Sequence, residues 1–247
     1  MKGVLTIILV AFALIGCKKK EDKSCLKSTG ALTSKEIALE EFDKLYMGPH
    51  LKYELVQDTV DKVILKGGEY LLNGISLEID DDKRLVIENE NKCAFLRSYD
   101  EIVVVEIHFV NLININFEGT QEVLCADTLS ITDLSLTIRD GAGHFNLMVE
   151  GNSVDVLITH GWGNYTVSGI VNYAKFNVNS NGFGDAYNLQ VANELIAVSS
   201  TVGVMKIRAD GCDLLAEINE SGDIWYKGVP NIVEYNQYGS GGLINKN

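Results

Sequence analysis

In the second half of the chain, three carboxylates and two imidazoles stand at fixed offsets from a recurring glycine. Aligned on Gly143, Gly163, Gly184, Gly203, Gly222 and Gly242, the glycines follow one another at steps of 20, 21, 19, 19 and 20 residues. Three positions before them come Asp140, His160, Asn181, Ser200 and Asn219, and one position after come His144, Asn164, Asp185 and Asp223. If each repeat is one turn of a coil, these residues fall into polar columns. A column of Asp, His and Asn can hold a cation or accept glycan hydroxyls. The same residue types also bond to turn backbone and tolerate left-handed dihedrals, so turn chemistry is the simpler reading. Between the columns, Trp162 and Phe183 are expected to pack between adjacent coils, although an exposed aromatic pair could grip a sugar ring. Tyr165 and Tyr173 are open to either role.

Catalysis would need a nucleophile with a base, a carboxylate pair at controlled separation, or a metal held by several ligands. The sequence has none of these patterns. His50, His108, His144 and His160 are scattered, HExxH and GxSxG are missing, and the glycine-rich turns lack the lysine and helix of a phosphate loop. His144 and His160 could approach each other across neighbouring coils, but two histidines without a third ligand make a weak case for a metal site. No cofactor or metal is expected.

Cys17 carries a different chemistry. Val4 to Ile15 is apolar apart from Thr6, and twelve helical residues rise about 18 Å, too short for a bilayer core of about 30 Å. The run reads as a signal-peptide core rather than a transmembrane span. It ends in Leu14, Ile15, Gly16 and Cys17, which resembles the lipobox of bacterial lipoproteins, whose cysteine thiol accepts diacylglycerol. Several acyl chains would then hold the protein on a bilayer, at about 0.8 kcal/mol per buried methylene. Residues 1–16 are thus expected to be a signal peptide and 17–35 a lipidated tether, with Lys18, Lys19, Lys20, Glu21, Asp22 and Lys23 as a solvated spacer.

Export permits disulfides. Cys125 and Cys212 lie in apolar runs and read as small buried side chains. Cys25 and Cys93 lie in polar surroundings, where a bridge between them would pin the N-terminal arm.

The elements that must position these residues are strands. The chain of 247 residues is 46% hydrophobic, with 23 glycines against 2 prolines, a balance that favours repeated turns between extended segments over helices. One helical signal stands out, Thr33 with Glu36 as a capping box, continued by Ile37, Glu40, Glu41 and Lys44. From Leu51 the pattern alternates, as in Val63, Leu65; Ile75, Leu77, Ile79; Leu85, Ile87; and Val103, Val105, Ile107. After the recurring glycines come further alternating runs such as Phe145, Leu147, Val149 and Met205, Ile207, Ala209. Two short strands and two corners in about 20 residues describe one coil of a single-stranded parallel β-helix. An antiparallel sandwich would also accommodate strands about ten residues apart, but it has no reason to keep the glycine register.

The formal net charge is −13. Such a surface repels polyanions and argues against nucleic acid as a partner. Cations or neutral glycans are easier partners.

The repeats resemble the auto-transporter adhesin head GIN domain family, as do the stretches CLKSTG (25–30), VILKGGEYLLNGISLEI (63–79), NENKCAFLRSY (89–99), SGDIWYKGVPNIV (221–233) and GSGGLI (239–244). The resemblance spans roughly residues 40 to 244. It implies a right-handed parallel β-helix over residues 36–247, on a lipoprotein or secreted protein of a Gram-negative envelope, and it implies no established reaction. At Thr201, Val202, Gly203 and Val204 the chain departs from the polar turn pattern, which interrupts any full-length polar ladder.

These readings favour a non-enzymatic envelope lipoprotein, anchored in the outer membrane by acylated Cys17 and facing the periplasm or the cell exterior. Its solenoid would be a structural or adhesive surface for a glycan or an envelope protein. The alternative is a carbohydrate-active enzyme, a polysaccharide lyase or hydrolase, with Asp140, Asp185 and Asp223 as its acids. Their convergence in an open groove would favour that alternative.

Overall fold

Alternating sequences with few prolines give strands, and here every strand joins one sheet that winds on itself. The structure, a computed structural model, describes residues 29–91 and 102–247. Cys17, Cys25 and Cys93, with the leader and most of the tether, lie outside the described residues.

The regular part of the coil begins at β8 (Asn114–Phe117) and β9 (Val123–Cys125). It continues through β10 (Leu129–Ile138), β11 (His144–Ile158), β12 (Asn164–Ser180) and β13 (Phe183–Thr201). It closes with β14 (Met205–Arg208), β15 (Asp213–Ile218), β16 (Ile224–Lys227), β17 (Ile232–Gln237) and β18 (Leu243–Asn245). All pairings among these strands are parallel. The result is a β-solenoid of about 7 turns, as the repeat implies.

Each turn contributes to two faces. On the first stand β8, the second halves of β10 to β13, β15 and β17; on the second stand β9, the first halves of β11 to β13, β14, β16 and β18. β11, β12 and β13 are long because each runs over a corner from the second face to the first. Inside, equivalent residues stack in columns, such as Leu136, Val156, Phe176, Ala197 and Ala216. All five are buried, and full burial of a Leu, Val or Phe side chain contributes about 1.5–3 kcal/mol.

The N-terminal end is built differently. β2 (Lys44–Met47) and β3 (Lys52–Gln57) form the first turn in sequence, yet they lie inside the stack. β6 (Arg84–Asn89) and β7 (Val104–Phe109) pair with them on one side, and β8 and β9 on the other. Antiparallel strands close this end: β4 (Lys62–Gly68) lies on β7, β1 (Leu32–Ala38) on β4, and β5 (Ile75–Ile79) on β6. Between β4 and β5 sits α1 (Glu69–Leu72), which buries Leu71 and Leu72. A solenoid end exposes unpaired backbone groups, and covering strands satisfy them.

That need overrides the helix expected from Thr33. The segment is instead β1, in register with β4 from Leu32 opposite Gly68 to Ala38 opposite Lys62, and Lys44 begins β2. A capping box supplies two local bonds, whereas the edge of β4 offers a partner along seven residues.

Candidate functional site

The strand register decides which of the expected columns exist. His144 pairs with Asn164 and Asn164 with Phe183, so Gly143 and Gly163 are followed by Gly182 rather than Gly184. Gly203 and Gly222 keep their places, and Gly241 replaces Gly242. Gly184 points inward instead, opposite Tyr165.

Asp140 and His160 do fall in one column, set by the pairing of Gly141 with Gly161. Asn179, Ser200 and Asn219 form a separate column, one position on from Val178, Ser199 and Ile218 and so in line with Thr159 rather than His160, and Asn181 lies beside Trp162. Asn219 Nδ2 donates to Ser200 Oγ at 3.0 Å. Asp140 has a φ of 53° and takes an Arg139 Nε–H at 3.0 Å, which fits the turn role because Asp tolerates the left-handed region. His160 is exposed at the corner.

On the second face, His144 Nδ1 hydrogen-bonds Asn164 Oδ1. Asp185 stands two positions along from that column, paired in register with Thr166 and Lys206. Its Oδ1 accepts the Tyr187 N–H at 3.1 Å and its Oδ2 accepts Lys206 Nζ at 3.0 Å. Asp223 accepts the Gly242 N–H at 2.9 Å and Trp225 Nε1–H at 3.3 Å. The three carboxylates therefore occupy different turns and three different columns, each bound by its own local partners. His144 and His160 are likewise separated, one on the second face and the other at a corner. Among the described residues, no three His, Cys, Asp or Glu side chains converge to ligate a metal ion.

What the register does assemble is an open groove of about 230 Å³ on the second face. His144, Asn164, Thr166, Phe183, Asp185 and Lys206 line it, with Tyr165 and Gly184 beneath. Tyr165 is buried, stacked on Phe176 at 5.2 Å between centroids. Its hydroxyl has no hydrogen-bond partner among the described residues. Burial, with the Asp185 charge adding, holds that hydroxyl well above the usual phenol range, so it stays protonated and can both donate and accept. Phe183 is 44% exposed and Trp162 62% exposed. The packing role expected of these two rings is thus corrected. Trp162 lies beside Asn181 and Phe183 beside Asn164, both rings standing on the outer surface of the coil.

The sequence reading missed a second polar cluster near the capped end. His108 bonds Asp58 Oδ2 through Nδ1 and Glu106 Oε1 through Nε2, both at 2.8 Å. Lys66 bonds Glu106 and lies 3.6 Å from Glu54. The hydrogen bonds from Lys66 and then His108 pull the Glu106 carboxyl below the usual carboxylate range. Glu106 and His108 alternate on one strand face and so were legible. Lys66 was not, because it comes from an antiparallel strand. The network ties β4 to β3 and β7.

Cys212 is buried and Cys125 largely so, both as free thiols, in keeping with their apolar runs. Burial pushes the Cys125 thiol up to about 12.

The class the fold defines is a β-solenoid with a capped end and a groove on one face, in which Asp140, Asp185 and Asp223 do not converge. Residues 41–230 match the model of the family described as "Putative auto-transporter adhesin, head GIN domain", and the chain belongs to that family. Similar solved structures include a putative adhesin from Bacteroides fragilis, 22% identical with a TM-score of 0.79, over 87% of this chain and 97% of that one. A putative lipid binding protein from Parabacteroides distasonis is 21% identical with a TM-score of 0.67, over 88% and 97%. A putative adhesin from Parabacteroides merdae is 15% identical with a TM-score of 0.63, over 90% and 99%. No curated protein matches the chain. At these identities the likenesses establish the fold. The family, described as an adhesin head, suggests an envelope or surface protein without an enzymatic role. Among the described residues no helix is long and apolar enough to cross a membrane.

Proposed function

We propose that the chain is a non-enzymatic lipoprotein of the cell envelope, tethered to the outer membrane through acylated Cys17, whose solenoid presents an adhesive face to saccharide. One observation carries the binding part of this reading. Tyr165, whose buried hydroxyl has no hydrogen-bond partner among the described residues and packs against Gly184, lines a groove whose rim combines an exposed ring, Phe183, with the amide, hydroxyl and charged groups of Asn164, Thr166, Asp185 and Lys206. A buried hydroxyl without a partner costs about 1–3 kcal/mol, which a ligand hydroxyl would recover. Apolar ring faces beside a few converging polar groups are what a sugar presents and needs. The anchoring part rests on the Leu14–Cys17 lipobox.

A glycan array probed with the full-length chain in detergent tests the groove. Retention of at least one glycan, weakened at least tenfold in Tyr165→Phe, is expected; silence across the array would remove the adhesive reading. In cells, Cys17→Ser is expected to move the protein from the membrane fraction to the soluble fraction. Unchanged membrane retention would overturn the anchor.

A further inference from the structure

Beyond the groove, the second face carries three cations in one column. Arg208 pairs in register with Lys227, and the Lys246 N–H bonds the Tyr226 carbonyl, which sets Lys246 beside Lys227 on the next turn. Adjacent strands lie about 4.8 Å apart, and like charges directly opposite one another are destabilising. Such a ladder is unexpected in a chain of net charge −13. Arg208 is offset by Asp210 at 3.3 Å. Neither Lys227 nor Lys246 forms an ion pair among the described residues, and both are exposed.

Aromatic rings stand between these ammonium groups. Lys227 Nζ lies 4.4 Å from the Tyr187 ring centroid and Lys246 Nζ 4.2 Å from that of Trp225. Lys206, which rims the groove, is 5.9 Å from the same Tyr187 ring and in register with Trp225. The strip is therefore continuous with the groove along the solenoid axis. Resting against a ring holds an ammonium in place without neutralising it.

We infer that this strip, formed by Tyr187, Arg208, Trp225, Lys227 and Lys246, binds a carboxylated polysaccharide running along the axis; the inference rests on the saccharide reading of the groove. Carboxylates of successive sugars relieve the cation ladder, ring faces stack on Tyr187 and Trp225, and Asp185 and Asp223 accept hydroxyls. Those two acids favour a polymer that offers free hydroxyls between its charges, as a uronate chain does, over one such as single-stranded DNA that offers none along its backbone. At physiological salt, charges beyond about 8 Å are largely screened, so the local ladder outweighs the distant acidic surface.

The test is affinity electrophoresis of the full-length chain in detergent through three polymers: polygalacturonate, its fully methyl-esterified form, and oligo-dT. Polygalacturonate is expected to bind at least tenfold more tightly than the other two. It should also alter the fluorescence of Trp225, read in a Trp162→Phe background. Lys227→Glu with Lys246→Glu should abolish at least tenfold of that affinity while the melting temperature stays unchanged. Equal binding of the esterified polymer, or indifference to the double substitution, overturns the inference and leaves the saccharide groove standing. Oligo-dT binding as tight as polygalacturonate overturns it in favour of a general polyanion strip. Failure of all three polymers also overturns it, while a positive glycan array would still support the groove.

Discussion

Tyr165 and Gly184 are register partners on β12 and β13, and a Cβ on the glycine would lie 2.3 Å from the tyrosine hydroxyl. The large ring fits because its neighbour on the next turn has no side chain. Gly184→Ala should therefore destabilise the fold by about 1–3 kcal/mol, read as a lower melting temperature. Tyr165→Phe should do the opposite, since it removes a buried hydroxyl without a partner, while weakening glycan retention. A gain in stability with a loss of binding would separate the two roles of this side chain.

Gly169 sits at the corner of β12 with a φ of 115°, and a Cβ there would meet the Val149 carbonyl oxygen at 1.9 Å. Backbone against backbone cannot give way as a flexible side chain can. Gly169→Ala is expected to cost about 2 kcal/mol or more through combined strain and clash. Chemical denaturation should show a lower midpoint with an unchanged slope if the fold is retained.

Acid should loosen the capped end first. The fold favours ionised Glu106 over its protonated form, so its contribution is complete above the ordinary glutamate value of about 4.3 and declines as pH falls through its lowered native value. Glu106→Gln should make the melting temperature less sensitive to acidification below about pH 4.3, where Glu106 takes up its proton. Parallel melting curves for wild type and variant over the same pH series would contradict this. Lys66→Ala should also flatten the profile, at a cost of about 1 kcal/mol or less near neutrality given the exposure of the lysine.

The thiols should divide into two classes. With Cys212 buried and the Cys125 thiol pushed up to about 12, iodoacetamide at mildly alkaline pH should leave both unmodified in the native chain and modify both in denaturant. A non-reducing peptide map is expected to link Cys25 to Cys93. Recovery of either as a free thiol from oxidised, exported protein would remove that bridge.

Glycine spacing and strand alternation were enough to specify a coil of about 20 residues, because each turn must repeat its corner and its inward side chains. The lipobox-like stretch ending at Cys17, on which the proposed anchor rests, is likewise local and needs no fold to be read. Register was not legible to the residue. Two register shifts between β12 and β13, one between Thr166 and Ser168 and one between Val171 and Tyr173, change the pairing offset from 19 to 21 residues along the strand, and a spacing count cannot say which of Gly182 and Gly184 faces inward. Those shifts leave Gly184 against Tyr165 and Asp185 out of the His144 column. The interleaving of β2 and β3 between later strands was also hidden, since antiparallel capping by β1, β4 and β5 depends on which edge is left open. Local sequence set the period of the chain, because turn and strand preferences act over a few residues. Only the tertiary structure decided which side chains share a column, because hydrogen-bond register between turns is settled by packing across about 20 residues of intervening chain.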